Sequence, residues 1–113
     1  MNKYIQEAVD YLKKIGFDAP EIGIVLGTGL GKFVDEIDKE AFASYNHIPN
    51  FPTTTVEFHQ GKLIYGTFEG KKVVVMQGRF HLYEGYSTYD VTFPIRVMHE
   101  LGITKLLVSN AAG

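Results

Sequence analysis

The chain contains no cysteine, which excludes a disulfide framework and thiolate-ligated metal centres. Neither charge is in large excess: 11 Lys and Arg stand against 13 Asp and Glu, for a formal net charge of -2. No global field recruits nucleic acid or an anionic membrane, so any anion site has to be local. No apolar run approaches the length of a membrane span, and the N-terminus, MNKYIQEAVDYLKK, is too polar for a secretory signal. The expectation is a soluble, cytoplasmic protein with no membrane or nucleic-acid partner. Repeats, low-complexity tracts and interdomain linkers are also missing. There is no G-x-S-x-G elbow, which leaves serine-hydrolase chemistry unsupported. His59 and His81 lack acidic or histidine partners at ligand spacing, which argues against a metal site.

What is present suits one small domain. The 113 residues are 45% hydrophobic and 21% charged, enough to bury a core. Asn2 to Ile15 predicts a helix, with Ile5, Ala8, Val9, Leu12 and Ile15 on one face and Gly16 as its C′ residue. Ile22 to Leu26 (IGIVL) is a short, nearly unbroken apolar run, as in a strand buried on both faces. A glycine loop, Gly27-Thr28-Gly29-Leu30-Gly31, follows it, then a short helix over Lys32 to Ile37. Strand, glycine loop and helix can aim backbone N–H groups at an anion. The loop fits neither a dinucleotide fingerprint, whose next glycine would fall on Lys32, nor a Walker A loop, where Phe33 replaces the magnesium-binding Ser or Thr. Alone, it is also consistent with a plain tight turn.

Ala41 to Tyr45 reads as a strand, and HIPNFP (His47 to Pro52) as a rigid loop. Thr53 to Val56 is β-prone, and Glu57 to Gly61 is a loop carrying His59. Lys62 to Phe68 and Lys71 to Met76 flank Glu69-Gly70 as a β-hairpin. Ser87 is the expected N-cap of a helix with Asp90 at N3, running to about Leu101. Its predicted inner face is Val91, Ile95, Met98 and Leu101 or Gly102, with a kink at Pro94. Lys105 to Ser109 (KLLVS) predicts another buried strand, closed by the small-residue loop Asn110-Ala111-Ala112-Gly113. Because the chain stops where a strand should hand over to a ligand loop, the expectation is a fragment of a longer protein. The fold class expected is α/β, a mixed central sheet flanked by helices.

The densest chemistry follows the run that ends at Met76: Gln77-Gly78-Arg79-Phe80-His81-Leu82-Tyr83-Glu84-Gly85. Arg79 offers a planar fork of donors suited to two phosphate oxygens. His81 adds a donor that changes charge near neutrality. Tyr83 offers a ring to pack on a sugar and a hydroxyl to bond it, and Glu84 could orient Arg79 or His81. An isolated arginine or histidine is more often a surface or packed residue, and His47 and His99 are read that way. The combination changes the odds. Thr28, Arg79 with His81, and Ala111 each follow an apolar strand, and parallel strand ends meet on one edge of a sheet.

Four motifs in order, Leu26-Gly27-Thr28-Gly29-Leu30-Gly31, Gly78 to Tyr86, Val91-Thr92-Phe93-Pro94-Ile95-Arg96-Val97 and Asn110-Ala111-Ala112-Gly113, resemble the purine nucleoside phosphorylases of the trimeric class. The resemblance covers nearly the whole chain but only the N-terminal part of the family's chain. Threonine at position 28 stands where the family commonly has serine, which keeps the hydroxyl. The resemblance implies a truncated phosphorylase/nucleosidase-like fold, residues 1–113 being the N-terminal portion of a single domain. It implies that Thr28, His59, Arg79, His81 and the Ala111 N–H bind phosphate, that Tyr83 binds ribose, and that Arg79 and His81 serve catalysis. The activity implied is phosphorolysis of purine (deoxy)ribonucleosides to free base and (deoxy)ribose 1-phosphate, in purine salvage, by a homotrimer. Inorganic phosphate is a co-substrate, and no metal or organic cofactor is implied. The family's base-binding glutamate and asparagine, a further phosphate-binding serine and an aromatic residue lent by a neighbouring subunit would lie beyond Gly113, so the 113 residues alone are expected to be inactive. Two alternatives stay open: a methylthioadenosine phosphorylase-like enzyme, and a non-catalytic anion-binding module.

Overall fold

Local sequence sets the helix boundaries. Asn2 caps α1 (Lys3–Lys14), its side chain accepting from the Tyr4 N–H at 2.7 Å, which satisfies one of the free donors of the first turn. Apolar residues at helical spacing then bury Ile5, Ala8, Val9 and Leu12. Ser87 caps α3 (Thr88–Glu100) in a complete capping box, with Asp90 N–H donating to Ser87 Oγ and Ser87 N–H donating to Asp90 Oδ2. The computed structural model describes residues 2–26, 31–52, 61–78, 85 and 87–108. Within them lie also β1 (Ile22–Leu26), α2 (Gly31–Asp35), β2 (Asp38–Ser44), a 3-10 turn (Tyr45–His47), β3 (Lys62–Phe68), β4 (Lys71–Gln77) and β5 (Lys105–Val108).

The five strands form one mixed sheet in the order β2-β3-β4-β1-β5. β1 pairs in parallel with β4 on one side and β5 on the other, while β3 runs antiparallel to both β2 and β4. The β3–β4 hairpin closes on Glu69 and Gly70, both at positive φ (52° and 81°), the turn geometry that matches strand twist. At the outer side of the hairpin Lys72 Nζ lies 2.6 Å from Glu40 Oε2, tying β4 to β2 across β3.

Strand alternation sorts the core into two layers. Val25, Ala43, Leu63, Tyr65, Val74 and Met76 meet the inner faces of α1 and α3 on one side of the sheet. Ile24, Leu26, Ile64, Val73 and Val75 meet Val34 of α2, and Ile37, on the other. Each fully buried Val, Leu or Ile contributes about 1.5–3 kcal/mol of transfer free energy.

Several boundaries differ from expectation. β2 starts at Asp38 and ends at Ser44, and Tyr45 opens the 3-10 turn instead of closing the strand. α2 starts one residue earlier and ends two residues earlier than predicted. The inner face of α3 is Phe93, Pro94, Val97 and Met98, with Val91 and Ile95 only partly buried at its margin. The helix is continuous through Pro94. The largest difference is β5. The expected buried strand has all four residues exposed, Leu107 at 50% and Val108 at 60%, and β5 is the edge of the sheet. The β-prone stretch Thr53 to Val56 lies outside the described residues.

Truncating Leu63, which has no exposed surface, to alanine should cost about 2–5 kcal/mol, read as a lower urea midpoint at unchanged slope. Ser87→Ala should cost about 1 kcal/mol through the lost cap, by the same measurement.

Candidate functional site

Neighbouring strands β1 and β4 send the chain to opposite faces of the sheet. After β1 it enters α2, which packs on the Ile24–Leu26 face. After β4 it enters α3, which packs on the Val74–Met76 face and then crosses β1 to reach β5. Where connections diverge in this way, a crevice opens beyond the carboxyl ends of the strands, and ligands of α/β folds bind there.

Thr28, His59, Arg79, His81, Tyr83 and Ala111, and with them Glu84, lie outside the described residues. The strand ends that carry them are described, and their register is informative. Leu26 pairs with Gln77, and Val25 with Val108. Along the chain Thr28 is two residues past Leu26, and Arg79 two past Gln77. Ala111 is three past Val108, whose partner Val25 is three before Thr28. The three segments thus leave the sheet side by side, at equal counts from a shared register. With strands roughly 4.8 Å apart, the exits of β4, β1 and β5 span about 10 Å. A fourth segment arrives at the same edge, because β3 is antiparallel and Lys62 pairs with Gln77. His59 is three residues before Lys62.

Beneath this edge sits a residue that sequence reasoning assigned to a strand. Tyr45 is 2% exposed. Its hydroxyl donates to the Gly78 carbonyl at 2.6 Å, and its N–H donates to the Gly61 carbonyl at 3.1 Å. Burial pushes its phenol well above the ordinary value of 10.0, since the phenolate would lose its hydration. The Tyr45 ring lies against Gly61, where a Cβ would overlap ring atoms Cε2 and Cδ2. Gly78 has φ +96° and approaches Gly61 so closely that a Cβ there would lie 3.1 Å from the Gly61 Cα, so both positions require glycine. Gln77, the last residue of β4, buries its Oε1 with no hydrogen-bond partner among the described residues. No sequence signal links residue 45 to residue 78. The clue available was two glycines, 61 and 78, flanking strands that pair with each other.

The other histidines, His47 and His99, are exposed, and His99 Nδ1 is 3.9 Å from Glu100 Oε1. Among the described residues no group of three or more His, Cys, Asp or Glu could hold a metal ion, and no helix is long and apolar enough to cross a membrane. A hollow of about 350 Å³ lined by Lys13, Phe17, Asp18, Ala19 and Leu101 lies towards the opposite end of the parallel strands, near the starts of β1 and β5.

Comparison with known proteins shows the family. Residues 21–113 match the model of the phosphorylase superfamily. Purine nucleoside phosphorylase 1 of Geobacillus stearothermophilus is 55% identical over 109 residues, covering 96% of this chain and 40% of that protein. A crystal structure of Schistosoma mansoni purine nucleoside phosphorylase with acetate superposes with a TM-score of 0.91 at 51% identity, over 98% of this chain and 41% of that one. The same enzyme in complex with inosine gives 0.89 at 50% identity, over 98% and 38%. The chain therefore spans about 40% of the length of the relatives it matches.

The Tyr45 phenol carries a pH prediction. Its folded pKa lies above its unfolded value, so its contribution to stability is complete below pH 10 and is lost as pH rises beyond 10, where the unfolded chain ionises first. Urea midpoints of the native chain should fall more steeply above pH 10 than those of Tyr45→Phe. Parallel curves would remove Tyr45 from the alkaline transition.

Proposed function

Because this chain belongs to the phosphorylase superfamily, we propose that it is the N-terminal portion, residues 1–113, of a single-domain purine nucleoside phosphorylase. The full-length protein cleaves purine (deoxy)ribonucleosides with inorganic phosphate, as a cytoplasmic homotrimer of the class its motifs resemble. The observation that carries the proposal is the common register of the β1, β4 and β5 exits, joined to 55% identity with a named purine nucleoside phosphorylase. The complex of the Schistosoma mansoni enzyme with inosine supports a purine nucleoside as substrate.

In this mechanism Thr28 Oγ1, the Arg79 guanidinium, His81, His59 and the Ala111 N–H hold the phosphate, and Tyr83 meets the ribose. A phosphate oxygen attacks the anomeric carbon as the bond to the purine nitrogen breaks. The bonding pair leaves with the base, which takes up a proton, and the sugar passes through an oxocarbenium-like state. The bound dianion is both nucleophile and counter-charge to the cationic sugar, so catalysis is chiefly positioning and electrostatics. Nothing in these steps calls for a metal or an organic cofactor. The groups that read the base belong to the remainder of the protein, and the 113 residues alone are inactive.

In the full-length enzyme, Arg79→Ala should lower kcat/KM for phosphate by about 10²-fold or more, as for a lost charge-stabilising donor. Steady-state phosphorolysis of inosine and guanosine measures this, and unaltered kinetics would exclude Arg79 from the site. Turnover of methylthioadenosine in place of inosine and guanosine would move the assignment to the sister activity.

A further inference from the structure

On the basis of the phosphorylase function set out above, we propose that Tyr45 is a positioning residue for phosphate, a single buried aromatic post that sets the height of two ligand loops at once. One loop begins at Gly78, whose carbonyl accepts the Tyr45 hydroxyl proton at 2.6 Å. Arg79 is the next residue. The other ends at Gly61, whose carbonyl accepts from the Tyr45 N–H at 3.1 Å. His59 is two residues before it. The Tyr45 ring fills the space that a side chain at Gly61 would need, and Gly61 in turn backs against Gly78. Ring, Gly61 and Gly78 therefore lie close together, joined by two hydrogen bonds from one residue.

The post is braced from below. The Tyr45 ring lies 5.7 Å from Phe51, Phe51 meets Phe93 edge-on at 5.8 Å, and Phe93 lies 5.7 Å from Tyr89. Phe93 and Tyr89 belong to α3, whose cap Ser87 ends the segment that Gly78 begins. Both ends of the stretch carrying Arg79, His81 and Tyr83 are thus tied to one aromatic chain. Arg79 gains its catalytic value from being held where phosphate charge sits, and a misplacement of about 1 Å can cost 10²-fold in rate. A group that fixes the backbone next to Arg79 acts on phosphate through that arginine and touches no substrate itself.

The test uses the full-length enzyme and separate titrations of phosphate and inosine. Tyr45→Phe keeps the ring and removes the hydroxyl. The expected result is a phosphate KM raised about tenfold, an inosine KM within twofold of the parent, and a smaller thermal stabilisation by added phosphate. Gly61→Ala keeps the hydroxyl and displaces the ring, and should reproduce the same phosphate-selective defect if Tyr45→Phe folds poorly. Arg79→Ala, run in parallel, separates the two levels. If it is crippled while Tyr45→Phe and Gly61→Ala keep the parental phosphate KM, the positioning role is overturned and the phosphorylase function stands. If Arg79→Ala is itself unimpaired, both fall. A drop in melting temperature with both KM values unchanged or raised in equal proportion would make Tyr45 a packing residue only and would also overturn the proposal.

Discussion

The parallel hydrogen-bonded ladder of β4, β1 and β5 is the constraint on which everything else depends. In a parallel pair the strands share a direction, so their carboxyl ends lie on one edge. The registers Leu26 with Gln77 and Val25 with Val108 then decide how far each following segment has travelled when it leaves that edge. A slip of one residue in either pair would turn every side chain of the slipped strand to the other face. In the β1–β4 pair, Val25 or Met76, whichever strand slipped, would exchange the α1–α3 layer for the α2 layer, and the site segments would leave the sheet out of step. The two-layer core and the candidate site are therefore specified by the same ladder.

Antiparallel β3 adds what the parallel strands cannot. It delivers the segment before it, not after it, to the same edge, because Lys62 pairs with Gln77. Two segments thus meet closely at Gly61 and Gly78, and Tyr45 closes the contact from the core side. The 3-10 turn that carries Tyr45 follows the last strand residue Ser44 directly. Ending β2 one residue earlier than its apolar content suggests frees the Tyr45 ring to swing under the loops while its N–H still pairs with Gly61.

The exposed apolar strand β5 shows the limits of pattern. Lys105 to Val108 reads as buried because three consecutive apolar residues call for cover on both faces. Leu106, Leu107 and Val108 are instead 39–60% exposed. The run stands at the edge of the five-stranded sheet. Residue composition states a preference for cover, and only the packing of the described elements shows that this run stands largely without it.

Helix caps, hairpin and strand identities were legible because each depends on residues close together along the chain. Ser87 with Asp90 and Glu69-Gly70 between two β runs are local signals, and both stand as expected. The family was legible for a different reason: four motifs in order, over residues 26–31, 78–86, 91–97 and 110–113, resemble it, and residues 21–113 match the phosphorylase superfamily. Strand order, the inner face of α3 and the partnership of Tyr45 with Gly78 were not legible. They are set by pairing and packing between segments tens of residues apart, and such contacts leave no periodicity in either partner. The amino-acid order thus determined the local elements and the chemical character of the site segments. The tertiary structure alone decided which strands lie side by side and which ring supports which loop, because those outcomes depend on the free energy of filling a shared space, a quantity that no single segment contains.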